Sequence, residues 1–181
     1  MVFVFLANGF EEIEAVTPID ILRRCNIPVT VVSIYDVKSV TGAHGIEVKA
    51  DITIDEVEYD SAKMFILPGG SLGVENLGNC GPLKEMLSKA EKDGKFIAAI
   101  CAAPTLLGKL ALLNDRKATC YPSLLNELIA KKSVKESVVE DGNIITSMGA
   151  GTSADFGFAL AKKLGYEKEA QALAASMCYK I

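Results

Sequence analysis

One histidine, five cysteines with no CxxC pair among them, and no apolar run of membrane-spanning length mark this 181-residue sequence, and each scarcity closes off a class of function. With His44 as the sole imidazole, a catalytic metal would need an unusual ligand set, and unpaired cysteines argue against both a disulfide framework and a zinc cluster. Metal catalysis is therefore not expected. The longest apolar stretch, Phe96 to Leu113, is broken by Pro104, Gly108 and Lys109, well short of the roughly 20 continuous residues a span requires. The opening MVFVFLANGFEE has no basic leader and no small-residue cleavage site, so it reads as a first strand, and a cytosolic protein is the expectation. Basic excess is lacking too. The formal net charge is −4 and the densest lysine cluster is Lys131, Lys132 and Lys135, which gives no reason to expect nucleic-acid binding.

Half of the residues are apolar, enough for one compact domain over residues 1–181 with a full core. Strand and helix patterns alternate. Short β-branched or apolar runs lie at Val2–Leu6, Pro28–Ser33, Ala62–Leu67, Phe96–Ile100 and Lys117–Cys120, and Ile46–Ile54 alternates like a more exposed strand. Helical spacing is read over 13–25, with Pro18 in its first turn, and over 81–92, 103–112, 122–131, 152–164 and 167–177. Val138–Ser147 reads as a hairpin turning at Asp141-Gly142. Strands alternating with helices of this length predict an α/β fold in three layers, a mostly parallel sheet with helices on both faces.

In such folds ligands gather at the carboxyl ends of the strands. The segment Phe96-Ile-Ala-Ala-Ile-Cys-Ala-Ala-Pro-Thr105 puts Cys101 there, with the small residues Ala99 and Ala103 two positions to either side. A sharp strand-to-helix elbow needs small neighbours, and Pro104 suits the first turn of the following helix. A helix N-terminus favours an anion, so the thiol is expected to ionise more easily than usual; a fall of about three pKa units would be worth roughly 4 kcal/mol. A buried, inert thiol is the ordinary fate of a lone cysteine, and that reading is kept for Cys25, Cys80, Cys120 and Cys178. Cys120 is the one to watch, being on the strand that follows the elbow helix.

Two more turns fall at strand ends. Pro68-Gly69-Gly70-Ser71 allows close backbone approach, so the amides of Gly70 and Ala102 are candidate oxyanion-hole donors beside Cys101. Asn8-Gly9-Phe10-Glu11-Glu12-Ile13-Glu14 offers three carboxylates, one of which, held against the thiolate, would keep its proton and act as general acid or base. Spacing alone does not choose among Glu11, Glu12 and Glu14.

These segments carry a likeness. Gly9-Phe-Glu-Glu-Ile-Glu-Ala15, Leu67-Pro-Gly-Gly-Ser-Leu-Gly73, Ala98-Ala-Ile-Cys-Ala-Ala-Pro-Thr105 and Thr146-Ser-Met-Gly-Ala-Gly-Thr152 together resemble the ThiJ/PfpI superfamily, most closely its Parkinson disease protein deglycase (DJ-one) branch. The resemblance implies a flavodoxin-like sandwich and a homodimer. It implies Cys101 as nucleophile, Glu14 as the protonated acid beside it, and Gly70 and Ala102 as the oxyanion-hole amides. It also implies a cofactor-free glyoxalase or deglycase acting on methylglyoxal or early glycation adducts, with a role in the oxidative-stress response. The alternative within the same branch is a redox sensor and chaperone in which Cys101 is oxidised to the sulfinate. Many members have a histidine just before a proline after the elbow helix; here Tyr121 precedes Pro122, which excludes a Cys-His dyad at those positions. His44 stands where close relatives often have arginine. Gly69, Tyr121 and His44 complete the candidate pocket.

Overall fold

The computed structural model describes residues 1–179. Eleven strands follow in chain order: β1 (Val2–Leu6), β2 (Val29–Ser33), β3 (Ser39–Thr41), β4 (Glu47–Lys49), β5 (Ile52–Thr53), β6 (Met64–Leu67), β7 (Phe96–Ile100), β8 (Lys117–Ala118), β9 (Lys132–Ser133), β10 (Val138–Asp141) and β11 (Ile144–Ser147). The helices are α1 (Glu12–Arg24), α2 (Ser71–Asn79), α3 (Gly81–Lys92), α4 (Ala103–Lys109), α5 (Ser153–Lys163) and α6 (Glu167–Ser176). Seven strands form one sheet in the order β10-β11-β7-β6-β1-β2-β5, parallel except for the β10–β11 hairpin, whose turn has Gly142 at φ 60°. This is the flavodoxin-like arrangement, and the strand order reverses beside β1, between β2 and β6.

The central strands are apolar on both faces because helices cover both. In β1, Val2, Val4 and Leu6 face the layer of α1, α5 and α6, while Phe3 and Phe5 face that of α2, α3 and α4. In β7, Ala98 and Ile100 face the first layer, Ile97 and Ala99 the second. On the first side α1 lies directly on α5, where Gly157 lets Ile21 and Pro18 approach. No helix among the described residues is long and apolar enough to cross a membrane.

Four expectations differ from what is found. Residues 122–131 form only a 3-10 turn at Pro122–Leu124 rather than a helix, because Lys131 N–H bonds to Leu113 and β9 pairs with β8, drawing the chain out straight. Ile46–Ile54 is two strands: β4 pairs with β3, and after the chain turns at Ala50-Asp51, β5 joins the sheet edge. The helix α2 has no counterpart in the spacing pattern, since Gly73 and Gly78 weaken its helical signal; its buried Gly73 and Leu77 are held by tertiary packing. Pro18 is well inside α1, not in its first turn, so the carbonyl of Glu14, four residues back, has no helical N–H to accept.

Candidate active site

Three loops meet at the carboxyl edge of the sheet. After β1 the chain turns through Gly9 and Phe10 into α1, after β6 it turns through Gly69 and Gly70 into α2, and after β7 it turns at Cys101 toward α4. Backbone bonds fasten the first two together: Glu11 N–H donates to Gly69 O (3.0 Å) and Gly73 N–H to Gly9 O (3.1 Å). Gly70 has φ 91°, and a Cβ there would collide with the Gly9 carbonyl, so only glycine closes this junction. The third loop is fixed by Cys101 N–H donating to Ser147 O (3.0 Å) and Tyr121 N–H donating to Cys101 O (2.8 Å).

Cys101 is in the left-handed region at φ 64°, a conformation that costs a non-glycine residue about 1–2 kcal/mol. Strand alternation would direct residue 101 toward the α2–α4 layer. The elbow instead turns its side chain to the α1 side, where it is half-buried. Glu14, 1% exposed, reaches the same point from the first turn of α1. Its Oε2 accepts from Gly69 N–H at 3.0 Å, and it is hydrogen-bonded to the Cys101 thiol and to the Ala150 amide. The backbone amides of Gly70 and Ala102 favour the ionised form of the Cys101 sulfur.

The two titrating groups control each other. Burial raises the Glu14 carboxyl to about 7, against the hydrogen bonds from Cys101, Gly69 and Ala150. Burial, then the Glu14 charge and its hydrogen bond, push the Cys101 thiol up to about 12, outweighing the pull of the Gly70 and Ala102 amides. This reverses the direction expected from a helix N-terminus. The α4 helix is only seven residues long, and its dipole is overridden by burial and a neighbouring carboxylate. A thiolate is reached here by moving the proton from sulfur to Glu14: once the carboxyl holds it, the charge opposing the thiolate is gone and the O–H becomes a donor to sulfur.

The cavity above the pair measures about 770 Å³ and is bordered by Cys101, Glu14, Gly70, Ala102, Tyr121 and His44, among others. Gly69 lies beneath. A Cβ on Gly69 would run into Glu14 Oε2 and stand 2.5 Å from Cys101 Cβ. Gly69→Ala is accordingly expected to cost about 1–3 kcal/mol by overpacking. Urea denaturation checks this, and an unchanged midpoint would mean that residue 69 does not support the pair.

Of the other two glutamates, Glu11 borders the cavity, while Glu12 turns away and clamps the 42–46 loop. Glu12 Oε1 accepts from the amides of His44 (2.7 Å) and Ile46 (3.4 Å), and Oε2 pairs with His44 Nδ1 at 2.9 Å. These bonds hold Glu12 below its ordinary range although its burial opposes them, and the Glu12 bond raises His44. Glu11, Glu12 and His44 place one donor atom each within 4.8 Å of one another, and His44 Nδ1 is bonded to Glu12 Oε2. Tyr121 is half exposed at the rim and rests against Gly149. Cys120 is fully buried on the opposite side of the sheet from Cys101, among the residues packed on α2–α4, so the two sulfurs are not partners. Sequence reading misses Ala43, Ser71, Leu72 and Leu124 as cavity walls. The glycines flanking Ser71-Leu72 are a signal that could have found those two, whereas Ala43 and Leu124 are brought in only by the fold.

Comparison with known proteins gives a consistent result. The chain is 43% identical over 170 residues to Protein DJ-1 homolog B of Arabidopsis thaliana, covering 92% of this chain and 39% of that protein. It thus spans about two-fifths of the length of the Arabidopsis relatives it matches. It is 32% identical over 148 residues to Deglycase PH1704 of Pyrococcus horikoshii, covering 81% and 88% of the two chains. Among solved structures, oxidized Toxoplasma gondii DJ-1 superposes with a TM-score of 0.95 at 35% identity, covering 99% of this chain and 98% of that one. With the DJ-1/PfpI family model matching residues 1–163, this chain belongs to the DJ-1/PfpI family.

Proposed function

We propose that the protein is a cysteine-dependent glyoxalase or deglycase, acting on methylglyoxal or early glycation adducts with Cys101 as nucleophile and Glu14 as its acid and base. The observation that supports this is a buried Glu14 brought against Cys101 over Gly69, with the Gly70 and Ala102 amides favouring the ionised sulfur. The relative named a deglycase supports it.

In this reading the proton passes from Sγ to Glu14, and the thiolate adds to the aldehyde carbon. The new oxyanion takes the proton back from Glu14, giving a hemithioacetal. The Gly70 and Ala102 amides stabilise the oxyanion as it forms. The Glu14 carboxylate then removes the hydrogen from that carbon and returns a proton to the neighbouring carbonyl-derived carbon through an enediol. The aldehyde carbon is oxidised to a thioester and the ketone carbon is reduced to a carbinol, with no external electron carrier. Water hydrolyses the thioester, releasing lactate and the free thiol, so the net change is methylglyoxal plus water to lactate. Tyr121 has no imidazole to contribute, and these steps ask for none.

Purified protein should convert methylglyoxal to lactate without added glutathione, one lactate per dicarbonyl consumed. Consumption with no lactate formed would reduce the reaction to simple thiol capture.

A second reading rests on the same donors. Two equivalents of peroxide would take the thiolate through sulfenate to sulfinate, each releasing water, and protonated Glu14 with the two amides would hold the sulfinate oxygens. Under graded peroxide, mass spectrometry should find Cys101 oxidised before buried Cys25 and Cys120. We also place a homodimer contact on α1, where Ile13 (53%) and Val16 (46%), one turn apart, are exposed. Ile13→Lys with Val16→Lys should halve the mass seen by light scattering; an unchanged mass would remove this face from the interface.

A further inference from the structure

Glu14 is met from two directions. Its Oε2 accepts from Gly69 N–H at 3.0 Å, while a Cβ on Gly149 would stand 3.7 Å from its Oε1. Gly149 and Ala150 belong to the turn between β11 and α5, and the Ala150 amide favours the ionised carboxyl. The same stretch of chain holds the other partner. Ser147, the last residue of β11, accepts from Cys101 N–H at 3.0 Å.

The turn is shaped by a threonine that does not cap its helix. Thr152 is the N-cap residue of α5, where a threonine hydroxyl ordinarily accepts from an amide of the first helical turn. Its side chain makes no such bond. It faces back along the chain instead. Gly149 N–H donates to Thr152 Oγ1 at 3.2 Å, and Thr152 N–H donates to Gly149 O at 2.8 Å. Thr152 Oγ1 lies 2.9 Å from Gly149 O and 2.7 Å from Ser147 Oγ, which is itself 2.7 Å from Ser137 O. Two hydroxyl protons serve these contacts. With Thr152 O–H given to Ser147 and Ser147 O–H to Ser137 O, a continuous chain runs from Gly149 N–H to the Ser137 carbonyl, and Gly149 O keeps the Thr152 N–H. Gly149 is thus tied through both its N–H and its C=O.

Resting on the reading of Glu14 as the acid and base, we propose that Thr152 is a positioning residue, whose hydroxyl holds the Gly149-Ala150 turn against one oxygen of the Glu14 carboxyl while Gly69 N–H holds the other. The last torsion of a glutamate side chain is broad, so a single amide leaves the carboxyl free to turn. A second contact sets its plane, and with it the oxygen presented to sulfur. The turn itself, Ser-Met-Gly-Ala-Gly-Thr, carries no charge. The titratable groups that face Glu14 are Cys101 on the elbow and Glu11 ahead of α1, with His44 and Tyr121 bordering the same cavity. On α5 the first charge, Asp155, accepts from the Tyr179 hydroxyl. A change at Thr152 therefore reaches Glu14 through hydrogen bonding and not through charge.

The titration of Glu14, followed by carboxyl-carbon NMR on the folded full chain, tests this without turnover, so its failure is distinct from a failure to form lactate. Thr152→Val removes the hydroxyl and keeps the shape. Ala150→Pro removes an N–H that has no backbone carbonyl partner among the described residues. Residue 150 opens a 3-10 turn after an extended Gly149 (φ 161°, ψ −168°), and both conformations suit proline. Each substitution should raise the Glu14 midpoint by about one pH unit, the size of one hydrogen bond to a charged group, whereas Thr152→Ser should keep the parental midpoint. A threonine with a merely structural role would lower the urea midpoint of Thr152→Val and leave the carboxyl where it was. That result overturns the proposal, as does a parental Glu14 midpoint in Ala150→Pro, or a shift in Thr152→Ser equal to that in Thr152→Val. Should Thr152→Val not fold, Ser147→Ala, which removes the partner of that hydroxyl, is read by the same criterion.

Discussion

Cys101→Ala is expected to lower the production of lactate from methylglyoxal by at least about 10³-fold, because no other thiol among the described residues borders the cavity. The remaining thiols do not substitute for it. Cys120 and Cys25 are buried away from the cavity, and neither Cys80 nor Cys178 borders it. Stability should stay near that of the parent, since alanine at φ 64° keeps the same backbone cost and the side-chain volume changes little. The hydrogen bond from Cys101 is one of the contacts that lower Glu14, so its loss should move that carboxyl further above about 7, a shift that carboxyl-carbon NMR follows directly. Lactate formation at the parental rate in this variant would end the proposed chemistry.

Glu14→Gln separates the two roles of the carboxyl. As the proton carrier between adjacent carbons it should be worth about 10²–10⁴-fold in kcat. As a charge beside the sulfur it is one reason the thiol stands near 12, so in the glutamine variant the alkylation profile of Cys101 should move to lower pH even as turnover collapses. A fall in both reactivity and turnover would instead show that Glu14 is needed to deprotonate the sulfur and does not hold the thiol up.

The same substitution has a consequence for stability. The folded carboxyl keeps its proton up to about 7, whereas its ordinary value is 4.5. Below 4.5 both states are protonated, and above about 7 both are ionised. Between them only the folded state holds the proton, so stability falls as pH rises through this window. The full gap corresponds to about 3 kcal/mol for this buried group. Glutamine does not titrate, and its side-chain oxygen can still accept from Gly69 N–H. At pH 8 the variant should therefore melt about 6–12 °C above the parent, and at pH 4 close to it. Scanning calorimetry at the two pH values checks this, and an equal difference at both would mean that the carboxyl is not desolvated in the fold.

Cys101 is legible in the order of residues along the chain. A buried β-branched strand, small residues at Ala99 and Ala103 and a proline at 104 all concern neighbours in sequence, and a sharp turn is a local object. The folded chain makes that turn at φ 64°. The alternation of strands and helices is legible for the same reason, which is why the pattern gives β7 to the residue and α1, α3, α5 and α6 within a residue or so. Where local spacing competes with pairing it misleads. Leu124, Leu125 and Leu128 have helical spacing, but the β8–β9 pairing prevails, and Ile129 is left exposed.

By itself, then, the sequence determined the layers, the elbow and the cysteine on it. Three neighbouring glutamates are equivalent by spacing, and the family likeness alone points to Glu14. Tertiary structure separates them physically. Glu12 is turned to the 42–46 loop, Glu11 to the cavity edge, and Glu14 to a Gly69 amide 55 positions away in the chain. It also decided the state of the thiol. A helix dipole is local and can be read from order along the chain, whereas burial and a carboxylate delivered from another strand end exist only once the loops are fastened together.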